Sequence, residues 1–286
     1  AAGGTGPGAG ADPHGWAAGG DAKVDDDDDY MCGEELREYT AKEMDDIFNS
    51  LSSHLTLILY FIYKSLSSRQ RLQALRHMTS SLIRLNGRVA AQSRRVFSHQ
   101  TVRSTASAGI RPLLKVLSAV MAGLRFASAR DRWLLYDVLV PLHEPMGYAI
   151  HRDQVSVISS YHMDLTRCVV YFLKRSASSN ILRAFSRTLM NKLTQPNIWP
   201  TGSSSNTSKE VLLLESLECV VVAAGGGYSA VAARVCGCLA SQNSRVSERA
   251  MEMWKNDKFS EIATEELKGD RDLTKALVRA LGSGLK

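Results

Sequence analysis

From about Glu34 onward the apolar residues of this chain recur at gaps of three and four, and that spacing limits what the chain can fold into. The clearest stretch runs Ile110, Leu113, Leu114, Leu117, Val120, Met121, Leu124. With 3.6 residues per turn, these positions trace one face of a helix. The stripe recurs at Leu165, Cys168, Val169, Phe172 and Leu173, and again at Val231, Val235, Cys238 and Leu239. Strand-like alternation is nowhere sustained.

Turn-forming clusters interrupt the stripes: Ser67-Ser68, Gly109 with Pro112, His143 to Gly147, Pro196 to Ser208, Gly225 to Gly227, and Gly269-Asp270. They leave helices of about 12 to 20 residues, paired roughly every 40, the period of HEAT-type repeats. One such pair cannot cover its own apolar face, so neighbours must stack. The expected fold is therefore all-α, an α-solenoid of HEAT-like antiparallel helix pairs. Pro141, inside Val138-Leu139-Val140-Pro141-Leu142, should kink or end its helix, because it lacks a backbone donor and crowds the preceding turn. Ser208 and Ser244 stand where hydroxyls could cap helix starts.

Residues 1–30 are Gly-, Ala- and Asp-rich and end in the run Asp25 to Asp29. They are expected to form a disordered tail, since they bury too little apolar surface to offset ordering entropy. Residues 31–286 are expected to form one helical-repeat domain. With 44% hydrophobic and 22% charged residues, the chain has ordinary globular composition. Five Cys, an odd number without CxxC spacing, fit a reducing compartment, so the cytosol, with the nucleus second, is the expected location. The Gly/Ala-rich start does not read as a secretory signal. The longest apolar run, Leu55 to Tyr63, is too short to span a bilayer and is expected as a buried helix segment, with no membrane partner. Net charge is +6, but the basic residues interleave with apolar ones along the chain and read as solvated surface, so nucleic acid is not an expected partner.

Chemistry-bearing patterns are sparse. Seven histidines are scattered without metal-ligand spacing, so neither a metal nor another cofactor is expected. No GxSxG elbow or phosphate-binding loop occurs, and Cys236 and Cys238 would lie about 200° apart on a helix. The pairs Glu215/Glu218 and Glu265/Glu266 read as solvent-facing, and no catalytic residue is assigned.

Six phrases carry a resemblance. They are Leu139-Val-Pro141-Leu142-His143; Tyr161-His162 with Leu165; Cys168-Val169-Val170 with Phe172-Leu173; Trp199-Pro200; Ser208-Lys209-Glu210-Val211 with Leu214, Leu217 and Glu218; and Val246-Ser-Glu248-Arg249-Ala250 with Trp254 and Asn256. In that order, over about 120 residues, they resemble the middle repeats of the B-prime regulatory subunits of protein phosphatase 2A. The resemblance implies a non-catalytic subunit that binds phosphatase scaffold and catalytic subunits and recruits substrates bearing short linear motifs. Trp199 and Trp254 read as apolar anchors between repeats. Glu248 and Arg249 read as a partly buried helix pair.

In that family a concave groove binds acidic-apolar peptides of the L-x-x-I-x-E kind. Its aliphatic wall corresponds here to Val116 and Val120, and its His-Arg pair to Arg76-His77 in reversed order. The aromatic and second arginine fall on Thr79 and Asn86, an acidic position becomes Lys115, and a downstream histidine becomes Arg132. The resemblance thus implies a groove that keeps cationic character but not its geometry. The segment Glu144 to Ser160 and the loop near Thr201 to Thr207 are longer than in the family. Two other readings stay open: a helical-repeat scaffold of another assembly that has lost phosphatase binding, and an RNA-binding solenoid, which requires Arg94, Arg95, Arg103 and Arg111 to form one patch.

Overall fold

The computed structural model describes residues 53–95, 109–124, 126, 131–144, 157–176, 179–199 and 207–284. All lie in the second of two compact units, Ala1–Phe48 and Asn49–Lys286. The expected tail over residues 1–30 and its boundary at residue 31 fall outside the described residues.

Among these residues the secondary structure is helical: α1 (53–65), α2 (Ser68–Arg95), α3 (Ile110–Ala122), α4 (His162–Lys174), α5 (Ser179–Leu193), α6 (Thr207–Ala224), α7 (Tyr228–Leu239), α8 (Ser244–Glu252), α9 (Asp257–Gly269) and α10 (Arg271–Gly284). The only extended pairing among them is an isolated bridge between Phe126 and Ser176. Helices two apart in the chain pack together: α4 on α6 and α6 on α8 in one layer, α5 on α7 in the other, with α10 closing on α7. That stacking is the helical-hairpin solenoid the spacing predicts. The predicted stripes face inward, with Ile110, Leu114, Leu117, Leu165, Phe172, Val231 and Val235 all buried.

The breaks fall where turn residues stand. After α6, the Gly225 and Gly226 amides both return to the Val221 carbonyl, with Gly225 in the left-handed region that closes helix ends. Gly227, also left-handed at φ 90°, leads into α7; a Cβ there would meet the Met190 Sδ at 2.6 Å. Around Pro141 the chain changes pitch, from a π-helix over Leu134–Leu139 to a 3-10 helix over Val140–His143. The Val140 amide bonds five residues back to the Leu135 carbonyl, and the next residue, Pro141, has no amide to continue that ladder.

Two expectations are corrected. The run Leu55 to Tyr63 is helical but not buried: of its large apolar residues only Tyr63 is buried, while Phe61 is 64% exposed. Hydrophobic residues state a preference for burial, and neighbours decide whether it is met. The cap before α8 is Asn243, not Ser244, and it makes no side-chain cap bond; α6 begins at Thr207, one residue before Ser208.

Aromatic contacts tie the layers. Phe172 stacks on Phe126 with centroids 4.4 Å apart and meets Phe185 at 5.3 Å. Tyr228, Trp254 and Phe259 form a triangle of edge-on contacts, each 5.7 Å. Phe172→Ala, which empties a site linking α4, α5 and the residue 126 segment, is expected to cost about 3–5 kcal/mol. Urea denaturation, read as a lower midpoint at unchanged slope, checks it.

Candidate functional site

The groove residues that the resemblance implies lie on packed elements, α2 against α3 and against the π-helix. Arg76 and His77 are exposed on α2, Arg132 is exposed ahead of the π-helix, and Lys115 is half-buried on α3. Val116 and Val120 are not an open wall. They are 5% and 1% exposed and form a small cluster with Tyr63 of α1, packed by Ala74, Met78 and Leu124. Thr79 is buried, its hydroxyl donating to the Leu75 and Arg76 carbonyls, and Asn86 donates its amide to the Pro141 carbonyl at 3.0 Å. Both positions are committed to the fold.

The quoted phrases, distant in sequence, meet in a buried polar cluster. The carbonyls of Leu139, Val140, Leu142 and Glu144, like that of Pro141, are each met by a side chain. The His143 Nδ1 lies 3.1 Å and 3.2 Å from the Leu139 and Val140 carbonyls. Tyr161 donates its hydroxyl to the Leu142 carbonyl at 2.9 Å, and Lys209, fully buried on α6, donates to that of Glu144 at 3.3 Å. Beside them the His162 Nε2 sits 2.7 Å from the Ser216 hydroxyl, which is 2.9 Å from that of Thr166. The His162 Nδ1 faces the Glu215 carboxylate at 3.9 Å.

The order Glu215, His162, Ser216 imitates the acid, base and nucleophile of a hydrolase. Its chemistry does not follow, because His162 and Ser216 are each 1% exposed, and attack needs a reacting carbonyl about 3 Å from the hydroxyl. The cluster is a lock between α4 and α6. Burial governs its protonation. Desolvation, with the charges of His162 and Lys209, pushes His143 down to about 3. Desolvation also lowers His162 against the pull of Glu215, and lowers Lys209 to about 8.

A second joint unites α6 with the turn after α8. Glu218, expected on the solvent side, is only 14% exposed; its carboxylate accepts from Arg249 at 2.5 Å and from Asn256 at 2.6 Å. Arg249 therefore pairs across the repeat and not with Glu248, which is exposed. Glu266 is also no surface acid: from α9 it accepts the Gly227, Tyr228 and Ser229 amides and caps α7. Periodicity alone hides both, since a carboxylate that faces a partner across a repeat has the same local sequence as a solvated one. Trp199 is buried, its indole donating to Glu210 at 3.3 Å, with the Arg234 guanidinium 5.1 Å over the ring. Trp254 is half-buried in the aromatic triangle, and Pro200 lies outside the described residues. In the basic patch, Arg111 pairs with buried Asp164 at 3.5 Å; the side chains of Arg94, Arg95 and Arg103 lie outside the described residues. No group of His, Cys, Asp or Glu that could hold a metal occurs among the described residues.

Such an arrangement defines a helical-hairpin repeat protein whose buried polar side chains join one repeat to the next. The model of the B56 family, the protein phosphatase 2A regulatory B subunits, matches residues 53–280, and the chain belongs to that family. It is 28% identical over 165 residues to the B' gamma isoform of the 59 kDa regulatory subunit of serine/threonine protein phosphatase 2A from Arabidopsis thaliana, covering 55% of this chain and 27% of that protein. Over 169 residues it is 27% identical to the delta isoform of the human 56 kDa regulatory subunit, covering 55% of this chain and 24% of that one. The match spans about a quarter of these relatives' length. The B-prime resemblance of the six phrases is borne out.

Two outcomes test this geometry. His143 is held neutral in the fold, well below its unfolded pKa near 6.5, so its stabilising effect is complete above that value. It is lost as pH falls toward 3, by about 1.4 kcal/mol per unit, or about 2 kcal/mol at pH 5. His143→Gln should lose less stability than the parent chain between pH 7.5 and pH 5, measured by urea midpoints. Glu218→Ala strands Arg249 and Asn256 and is expected to cost about 3 kcal/mol, with Arg249→Ala in the same background adding little, as a double-mutant cycle would show.

Proposed function

We propose that this chain is a non-catalytic regulatory subunit that binds phosphatase scaffold and catalytic subunits and holds substrates near the active site, contributing proximity and no chemistry of its own. The observation that carries this reading is the family match over residues 53–280, together with relatives named as regulatory subunits of protein phosphatase 2A. The cytosol is the proposed compartment, with the nucleus second; the four described cysteines are free thiols, three of them buried.

Substrate recruitment in this reading leans on charge. Arg76, His77 and Arg132 stay exposed, while the aliphatic wall is covered by Tyr63 and Thr79 and Asn86 bond the backbone. An L-x-x-I-x-E peptide keeps contacts for its acid and loses seats for its Leu and Ile. The covered wall also supports a second reading, a helical-repeat scaffold of another assembly without phosphatase.

Affinity capture of the tagged full chain at low salt, from the cells that make it, is expected to recover scaffold and catalytic subunits with Ser/Thr phosphatase activity. A stoichiometric complex free of phosphatase assigns the chain to the second reading. Peptide binding, followed by calorimetry, should fall steeply with salt and respond more to loss of the Glu than of the Ile.

A further inference from the structure

Among the described residues, α1 carries six of the exposed large apolar side chains, Leu55, Leu57, Ile58, Leu59, Phe61 and Ile62. Leu55, Ile58, Leu59 and Ile62 recur at gaps of three and four on one side and are 45–53% exposed; Leu57 and Phe61 stand on another side at 56% and 64%. Exposed aliphatic and aromatic side chains on two sides of one helix offer apolar area that a membrane surface can take up without the shape of a groove. Between Ser53 and Tyr63 the helix carries no Asp, Glu, Lys or Arg.

Charge supplies the second observation. From residue 53 to 95 the sequence contains no Asp or Glu, whereas α1 and α2 carry eight cations, Lys64, Arg69, Arg71, Arg76, Arg84, Arg88, Arg94 and Arg95. The formal net charge of the whole chain is +6, so this stretch is more positive than the chain taken together. Lys64, Arg69, Arg76, Arg84 and Arg88 are exposed. The positive charge that looks dispersed in the sequence is therefore concentrated beside the apolar helix.

The order of groups is the third. Where α1 ends, Lys64 sits 4.9 Å over the Tyr60 ring and Arg71 5.9 Å over the Tyr63 ring. Tyr60 is half-buried with a cation over its ring, and it stands between exposed apolar side chains and the arginine-rich α2, a pairing of aromatic and cation that suits the headgroup level of a membrane. No described helix is long and apolar enough to cross a membrane, and the docking in question is of exposed side chains of α1 at a membrane surface.

We propose that the α1 and α2 face docks on the surface of an anionic membrane, with the exposed aliphatic and aromatic side chains of α1 inserted and the arginines of α2 on lipid phosphates. The proposal is independent of phosphatase binding and replaces the expectation, read from the sequence, that no membrane is a partner.

Co-sedimentation of the full chain tests it, using phosphatidylcholine vesicles with and without about a third phosphatidylserine. Binding is expected to be at least tenfold stronger to the acidic vesicles and to weaken in high salt. Ile58→Glu with Phe61→Glu should reduce it at least tenfold, and so should Arg76→Glu with Arg84→Glu and Arg88→Glu. All these sites are exposed, and circular dichroism checks that each variant folds. In a Phe61→Trp variant, fluorescence should shift to the blue on acidic vesicles and be quenched by brominated acyl chains. Vesicle binding that ignores the α1 substitutions, or a tryptophan that brominated chains do not quench, overturns insertion. Failure to bind acidic vesicles overturns the proposal outright. In that case, self-association that Phe61→Glu abolishes would assign the face to a second copy, and binding of an acidic amphipathic peptide would assign it to a protein segment.

Discussion

The turn at Pro141 is the constraint on which the middle of the molecule depends. A proline there withholds one amide, and the chain passes from a π-helix to a 3-10 helix around it. A carbonyl has two lone pairs, so one that already accepts a backbone amide, as Pro141 does from Glu144, can take a second donor. Side chains from different parts of the chain converge on carbonyls of this turn: Asn86 from α2, His143 from the turn itself, Tyr161 from the entry to α4, Lys209 from α6. The register of three repeats relative to one another is thereby set by where those donors stand, and packing of Leu, Val and Phe fills the space that this register leaves.

That dependence also explains why phrases so far apart in sequence travel together. Pro141, His143, Tyr161, His162 and Lys209 look like isolated landmarks in a linear reading, and the structure makes them one hydrogen-bonded object. The Arg249, Glu218 and Asn256 joint has the same character one repeat further on. In a solenoid each repeat touches only its neighbours, so polar side chains at these joints restrict how one repeat rotates on the next where apolar packing alone would allow sliding.

Much of this was legible beforehand. Gaps of three and four located α3, α4 and α7, and the turn clusters located the breaks, because helix period and glycine or proline stereochemistry are local properties. Partnership is not local. Leu55 to Tyr63 carries every sign of a buried helix, yet of its large apolar residues only Tyr63 is buried. Val116 and Val120 were legible as an apolar pair, but not that Tyr63 would cover them. Glu218 and Glu266 looked solvated because their partners lie 31 and about 38 residues away in the chain. For the candidate site, side-chain identity was visible in the sequence and access was not.

The cap that Glu266 places on α7 has a consequence for how this end of the molecule opens. The three amides at the start of α7 find their acceptor on a carboxylate nearly forty residues downstream. The first turn of α7 is therefore complete only while α9 is docked against it, so a change that loosens α9 also exposes the leading turn of α7 to water. The two helices share their stability through one side chain, and Glu266 couples them where apolar packing alone would leave each free to fray by itself.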